Sequence, residues 1–276
     1  MTPLVVLAAA FGVYVWLRAF VVEPYSVDVA EKEIAVAGLP AELDGALIAH
    51  LSDFHLREIG DREWAVIEAV RRAEPDLVCI TGDFVSDRRG MQLLVPFLME
   101  LTRGRRTFAV LGNHDHADGV DTAALKESLR RAGVELLVNE SRRILLRGAP
   151  VRIVGVDDPA SGRDDLERSL GVGEPAGGSA FVLLLAHSPD ILLAPRVGEA
   201  DLVLAGHTHG GQVRLPVIGP LVTHTRIGRA AAAGVVRREG TVAHVSRGLG
   251  ETGVRMRLFC RPEVALLRLT PSRTGP

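Results

Sequence analysis

Lysine is almost missing from this chain. Lys32 and Lys126 are the only two, and arginine supplies the other basic residues. Genomic composition bias accounts for that better than function does. Excess charge of either sign is missing too: 32 Lys and Arg against 34 Asp and Glu leave a formal net charge of -2. A nucleic-acid binder would show a basic face, so no nucleic-acid binding is expected. Cysteine is scarce, with two in 276 residues, and two isolated thiols make no disulfide framework. Cys79 lies in an apolar run and reads as a small buried hydrophobe, and Cys260 lies near a C-terminal strand. Internal repeats and low-complexity tracts are also missing. What the chain does have is hydrophobic residue, at 47%, enough to bury a sizeable core in one large domain or two small ones.

The longest apolar run spans residues 3–22. Pro3 suits a first helical turn and Pro24 stops the helix. Twenty helical residues reach roughly 30 Å, about one hydrocarbon core, so residues 1–24 read as a membrane anchor. Tyr14 and Trp16 suit an interface, and Arg18 can snorkel to it. A signal peptide and a buried core helix are the alternatives. No Lys or Arg precedes the run and no small-x-small cleavage site is obvious, which argues against the first. Arg18 and Lys32 follow the span, which leans toward a cytoplasmic catalytic domain at a bacterial plasma membrane.

Residues 25–45 read as a juxtamembrane strand or linker, and 46–271 as the catalytic domain. In its first half, buried strands are expected at 46–52, 77–81 and 107–111, alternating with helices at 61–73, 90–101 and 121–132. Strands follow at 135–138, 141–146, 151–156, 180–186 and 202–205, then at 230–236, 242–245 and 264–269. Residues 157–178 read as a Gly-rich loop with a short helix at 164–170, and 189–196 as another short helix. This alternation predicts an α/β fold of two sheets packed face to face with helices outside.

Chemistry-bearing residues fall just after the strands. They are Asp53-x-His55, Gly82-Asp83, Gly112-Asn113-His114-Asp115, His187 and Gly206-His207-x-His209. An Asp and a His two apart can clasp one metal, and a carboxylate such as Asp83 can bridge two. The Asn113 oxygen is a hard neutral ligand. His114 is left to face substrate, with Asp115 expected to orient its imidazole. Taken singly, each motif is an ordinary turn. Together they gather five of the nine histidines at strand ends, and strand carboxyl ends are where α/β sheets place their sites. Without thiolates the site is not structural zinc, so catalytic hard or borderline ions are expected. Arg247 is a candidate phosphate contact, since arginine suits bidentate binding. His50, His116, His224, His244 and the pair Asp157-Asp158 are left as structural.

This ordered set resembles the calcineurin-like metallophosphoesterases over residues 46–215. His187-Ser-Pro-Asp190, Ser246-Arg-Gly-Leu-Gly250 and Cys260-Arg-Pro-Glu263 are similar to the bacterial, membrane-associated YkuE/YaeI-type phosphodiesterase branch. The resemblance implies a four-layer αββα sandwich of two mixed sheets and two divalent ions, Mn, Fe or Zn. It implies that Asp53, His55, Asp83 and His209 hold one ion and that Asp83, Asn113, His187 and His207 hold the other. It implies hydrolysis of a phosphodiester or pyrophosphate, expected in a lipid head group or lipid-linked sugar nucleotide, by in-line attack of a hydroxide between the ions. His114 would serve the leaving group. A phosphomonoesterase is the alternative enzyme. A membrane-tethered scaffold on an inactive fold is the alternative of another class.

Overall fold

Apolar runs of four or five residues recur along the chain, and they become strands buried on both faces. The computed structural model describes residues 3–117, 119–171, 180–238 and 240–272. The first half consists of α1 (Pro3–Leu17), β1 (Asp28–Val36), β2 (Leu47–Leu51), α2 (Asp61–Ala73), β3 (Leu77–Thr81), α3 (Arg88–Leu101), β4 (Thr107–Val110), α4 (Thr122–Arg131) and β5 (Glu135–Leu136). The second consists of β6 (Glu140–Leu146), β7 (Ala149–Gly155), α5 (Leu166–Leu170), β8 (Phe181–Leu185), β9 (Leu202–Ala205), β10 (Arg214–Leu215), β11 (Gly219–Pro220), β12 (Gly234–Arg238), β13 (Thr241–Val245) and β14 (Glu263–Pro271).

Two six-stranded sheets result, in the orders β1-β14-β2-β3-β4-β5 and β12-β13-β9-β8-β7-β6. Both are mixed. In the first, only the β14–β2 pair is antiparallel. In the second, β7, β8, β9 and β13 run parallel and the edges β6 and β12 are antiparallel. Period-two alternation divides each strand between two cores. Leu77 and Cys79 of β3 point between the sheets, with Phe108, Ile153 and Leu183. Val78 and Ile80 point outward and pack with Val66, Leu94 and Leu125 of α2, α3 and α4. On the far side Val154, Leu184 and Val203 pack against Leu166 and Leu170 of α5 and against Ile191. Each such Leu, Ile or Phe contributes about 1.5–3 kcal/mol on full burial. This is the expected αββα layering, with the outer layer of the second sheet reduced to α5 and short turns. Cys79 and Cys260 are free and buried.

Several boundaries differ from the sequence expectation. Residues 26–36 alternate as a strand should, but β1 is no linker: it pairs in parallel with β14 over nine residues, from Asp28 with Glu263 to Val36 with Pro271. The domain therefore starts ahead of residue 46. α3 starts two residues early, because Asp87 caps it by accepting from Gly90 N at 2.9 Å. α2 starts at Asp61 as expected, yet its cap is Gly60, whose N–H donates to Glu63 Oε2 at 3.0 Å. The expected helix at 189–196 is a 3₁₀ segment, Pro189–Leu193. The part of the Gly-rich loop at 172–178 lies outside the described residues.

Helical structure at the N-terminal end runs from Pro3 to Tyr25, 23 residues of mean hydropathy 2.1, long and apolar enough to cross a membrane. α1 buries nothing. Its continuation does: Ala19, Glu23 and Pro24 are buried against the domain. Arg257 N donates to Ala19 O at 2.9 Å and Cys260 N to Glu23 Oε2 at 3.2 Å. Arg18 bonds Glu23 at 3.1 Å and lies over the Phe259 ring at 5.5 Å, so it is held by the protein.

Candidate metal centre

Five loops converge on one rim. β2 delivers Asp53 and His55, β3 Asp83 and β4 Asn113 and His114 from one sheet; β8 delivers His187 and β9 His207 and His209 from the other. The backbone is bent to do this. Asp53, His55, Asp83, His207 and His209 all have φ between 43° and 69°. That left-handed region is uncommon for non-glycine residues, and such strain collects at functional sites. The neighbouring glycines make room. A Cβ on Gly112 would lie 2.3 Å from Asp83 Oδ1, and one on Gly206 would lie 1.8 Å from Ser52 Oγ and 2.6 Å from Asp53 Oδ2.

The donor atoms fall into two groups. Ligand atoms of Asp53, His55, Asp83 and His209 all lie within 4.8 Å of one another. Within that group His55 Nε2 is 3.2 Å from His209 Nε2, and His209 Nε2 is 3.5 Å from Asp53 Oδ1. In the second, Asn113 Oδ1 is 3.1 Å from His187 Nε2 and 2.9 Å from His207 Nδ1, and those two nitrogens are 3.1 Å apart. Asp83 Oδ2 lies 3.4 Å from both His55 Nε2 and His187 Nε2, so it belongs to both groups. Two ligands each about 2.1 Å from one ion lie roughly 3.0–3.4 Å apart, which is the spacing seen.

Backbone carbonyls set the tautomers. His187 Nδ1 donates to Thr81 O at 2.7 Å, His209 Nδ1 to Gly250 O at 3.1 Å and His207 Nε2 to His224 O at 3.0 Å. Each leaves its other nitrogen facing the centre. Ligand histidines are oriented in this way around metals. Burial alone would raise the Asp83 carboxyl, but His187 and His55 outweigh it and hold it well below the usual carboxylate range. Burial likewise lowers His187, and Asp83 reverses that, raising it to about 10. The same pull of the Asp83 carboxylate that protonates His187 would draw a cation to this point. His114 is half-buried. Burial lowers its pKa and the Asp83 charge opposes this only in part. Its ring stands edge-on to His55 at 4.9 Å, and its Nε2 is 3.3 Å from Thr252 Oγ1.

Two residues expected in the site do something else. Asp115 does not orient His114. Its carboxylate is fully buried and accepts from Asp83 N, Gly112 N and Phe84 N at 2.8–2.9 Å, which fastens the β3 and β4 loops together. Burial, reinforced by Asp83, raises it to about 7. Arg247 does not face substrate. Its guanidinium bonds Asp28 at 2.6 Å and lies 3.3 Å from Glu263. Sequence reasoning missed the backbone acceptors and Thr252, since a carbonyl or lone hydroxyl carries no motif. His116 pairs with Asp157 at 2.7 Å, and Asp158 accepts from Ala160 N and Ser161 N in its loop.

Two clefts leave the centre. One, of about 340 Å³, is lined by His209, Val213, Leu221, Val222, Val254 and Met256 among others. The second, of about 660 Å³, is polar and lined by Asn113, His207, Asp190 and Arg226 among others. His224 lines both.

Residues 46–211 match the family described as calcineurin-like phosphoesterase. The chain is 31% identical to the uncharacterized metallophosphoesterase YkuE of Bacillus subtilis (strain 168) over 253 residues, covering 90% of this chain and 87% of that protein. It is 32% identical to the phosphodiesterase YaeI of Escherichia coli (strain K12) over 199 residues, 71% of each. A transmembrane protein with metallophosphoesterase domain from Bos taurus is 32% identical over 86% of this chain and 56% of its own length. The donors gathered on the rim are thus those of a metal-dependent phosphoester hydrolase, and the chain belongs to the calcineurin-like phosphoesterases, which use two divalent metals.

Proposed function

We propose that this enzyme hydrolyses a phosphodiester or pyrophosphate bond in a membrane-associated substrate, a lipid head group or lipid-linked sugar nucleotide. The observation that carries the reading is the pair of clefts. A phosphorus between two substituents needs a path for each, and here an apolar and a polar path leave one centre with His224 at both. A monoester needs only one. The relative named a phosphodiesterase supports the same choice. Membrane association rests on the apolar helix Pro3–Tyr25 and on the bovine relative, which carries a transmembrane name. The face on which the domain lies is proposed as cytoplasmic, from Arg18 and Lys32 after the span.

In this reading Asp53, His55, Asp83 and His209 hold one ion and Asp83, Asn113, His187 and His207 the other. Two ions held by these residues would supply an activated water and neutralise charge on the phosphoryl oxygens. The chain's own part is orientation. Thr81, Gly250 and His224 carbonyls hold three imidazoles with a nitrogen aimed inward. Asp83 Oδ1 accepts from His114 N at 2.9 Å, which fixes His114 beside the centre. From there the imidazole N–H can donate to the leaving oxygen. Full-length protein supplied with Mn²⁺ or Zn²⁺ should hydrolyse bis(p-nitrophenyl) phosphate faster than p-nitrophenyl phosphate. Preference for the monoester would overturn the reading and favour a phosphomonoesterase.

A further inference from the structure

The apolar cleft and the base of the N-terminal helix share one short segment. Leu258 N donates to Gln212 O at 3.1 Å and Arg214 N to Leu258 O at 2.9 Å, so residues 212–214 are stitched to residue 258. On either side of that stitch, Arg257 N holds Ala19 O and Phe259 lies under Arg18. The β10–β11 hairpin that rises from residues 214–220 is unusually apolar at its exposed end. Val217 is fully exposed, and Ile218, Leu221 and Val222 are about half exposed. Val217 also has φ 68°, a conformation that a β-branched residue adopts only at a cost. Water gives no reason to put valine at a strained, exposed tip. Hydrocarbon does. The cleft behind the tip is walled by Leu221 and Val222, which follow the hairpin, and by Val254 and Met256, and His209 also lines it.

We infer that this cleft binds a hydrocarbon chain of the substrate, an acyl or alkyl group attached to one side of the scissile phosphate, with the hairpin as its bilayer-side wall. The inference rests on the phosphodiester reading above and assigns the apolar substituent to the His209 side. The polar substituent is left to the cleft of Asn113, His207 and Arg226. Continuity with the helix base explains the placement: a lipid drawn from the same bilayer meets the hairpin before the metal centre.

The test is a binding series with full-length, Mn²⁺-loaded protein held in amphipol, using methyl-, butyl- and octylphosphonate and titration calorimetry. Each methylene that enters an apolar site tightens binding up to about fourfold, so butyl should exceed methyl by about tenfold even in an open cleft. Val222→Asp and Val254→Asp change exposed positions and spare the core; each should remove most of that gain. Equal affinities along the series, or a gain that persists in both variants, would overturn the inference. The matching alkyl p-nitrophenyl phosphodiesters separate it from the reading beneath it. Chain-length gain in binding without turnover of any diester would uphold the cleft and sink the phosphodiesterase. Turnover without chain-length gain would do the reverse.

Discussion

The His114 backbone bonds Asp83, yet its imidazole turns away from the donor atoms: the ring meets His55 edge-on and Nε2 meets Thr252. Asp83 is the opposite case, with one oxygen 3.4 Å from a histidine of each group. A single metal analysis contrasts the two. Asp83→Ala should lose both ions. His114→Asn should keep both and lose roughly 10²- to 10⁴-fold in rate, the usual range for proton-transfer catalysis. Two ions retained by the Asp83 variant, or ions lost from the His114 variant, would refute these roles. The convergence of the motif side chains was legible because each follows an apolar run that reads as a buried strand. The direction in which Asp115, and Arg247 outside the motifs, point was not. Asp115 follows His114 in sequence, but a 3₁₀ turn at 114–116 sends its carboxylate inward to three backbone N–H groups. Arg247 lies two residues past β13, and its partners are Asp28, 219 positions away in sequence, and Glu263 at the start of β14. Neither ion pair has a local signature.

Among the elements, β1 was the hardest to read. Its alternation showed in the sequence, while its pairing with β14 did not, because register between segments so far apart is decided by tertiary packing. Glu263 secures that pairing. It bonds Lys32 of β1, and its second oxygen accepts from Arg247 N at 3.0 Å. Burial pushes its carboxyl up, but His244, Arg247 and Lys32 together prevail and hold it at about 2. A carboxyl depressed in the fold stabilises it above its ordinary value, about 4.5, and that stabilisation vanishes as pH falls toward 2. Glu263→Gln should therefore cost about 2–3 kcal/mol at pH 7, with the deficit shrinking between about pH 4.5 and 2. Thermal unfolding of both proteins across that window measures it. A deficit that does not change with pH would locate the loss in packing and not in charge.

For the whole molecule, the sequence suggested a catalytic domain on a tether, and the structure replaces the tether with a joint. Glu23 is buried, Pro24 is buried and Ala19 O is bonded to Arg257 N, whose guanidinium in turn reaches Gly248 O and Cys260 O. Gly250, a little further on, is the residue that holds His209. A chain starting at Tyr25 loses the Glu23 carboxylate bond to Cys260 N, worth about 1.5–3 kcal/mol for a charged acceptor. At roughly 2–4 °C per kcal/mol for a domain of this size, its unfolding midpoint should fall by about 5 °C relative to the full-length chain. Identical midpoints would restore the simple tether.

The pairing of β1 with β14 has a consequence for biosynthesis. β14 lies between β1 and β2 in the first sheet, although it is translated long after both. While the ribosome works through the intervening two hundred or so residues, β1 has no strand beside it and the apolar faces of Ile34 and Ile48 lack the strand that will separate them. Long-range pairing of this kind is slow and exposes strand edges in the meantime. An N-terminal helix already lodged in a bilayer would keep β1 at a fixed place until β14 arrives. On this account nascent chains halted before residue 263 remain protease-sensitive throughout the first sheet. Resistance comes only when the final strand slots between the two that have been waiting for it.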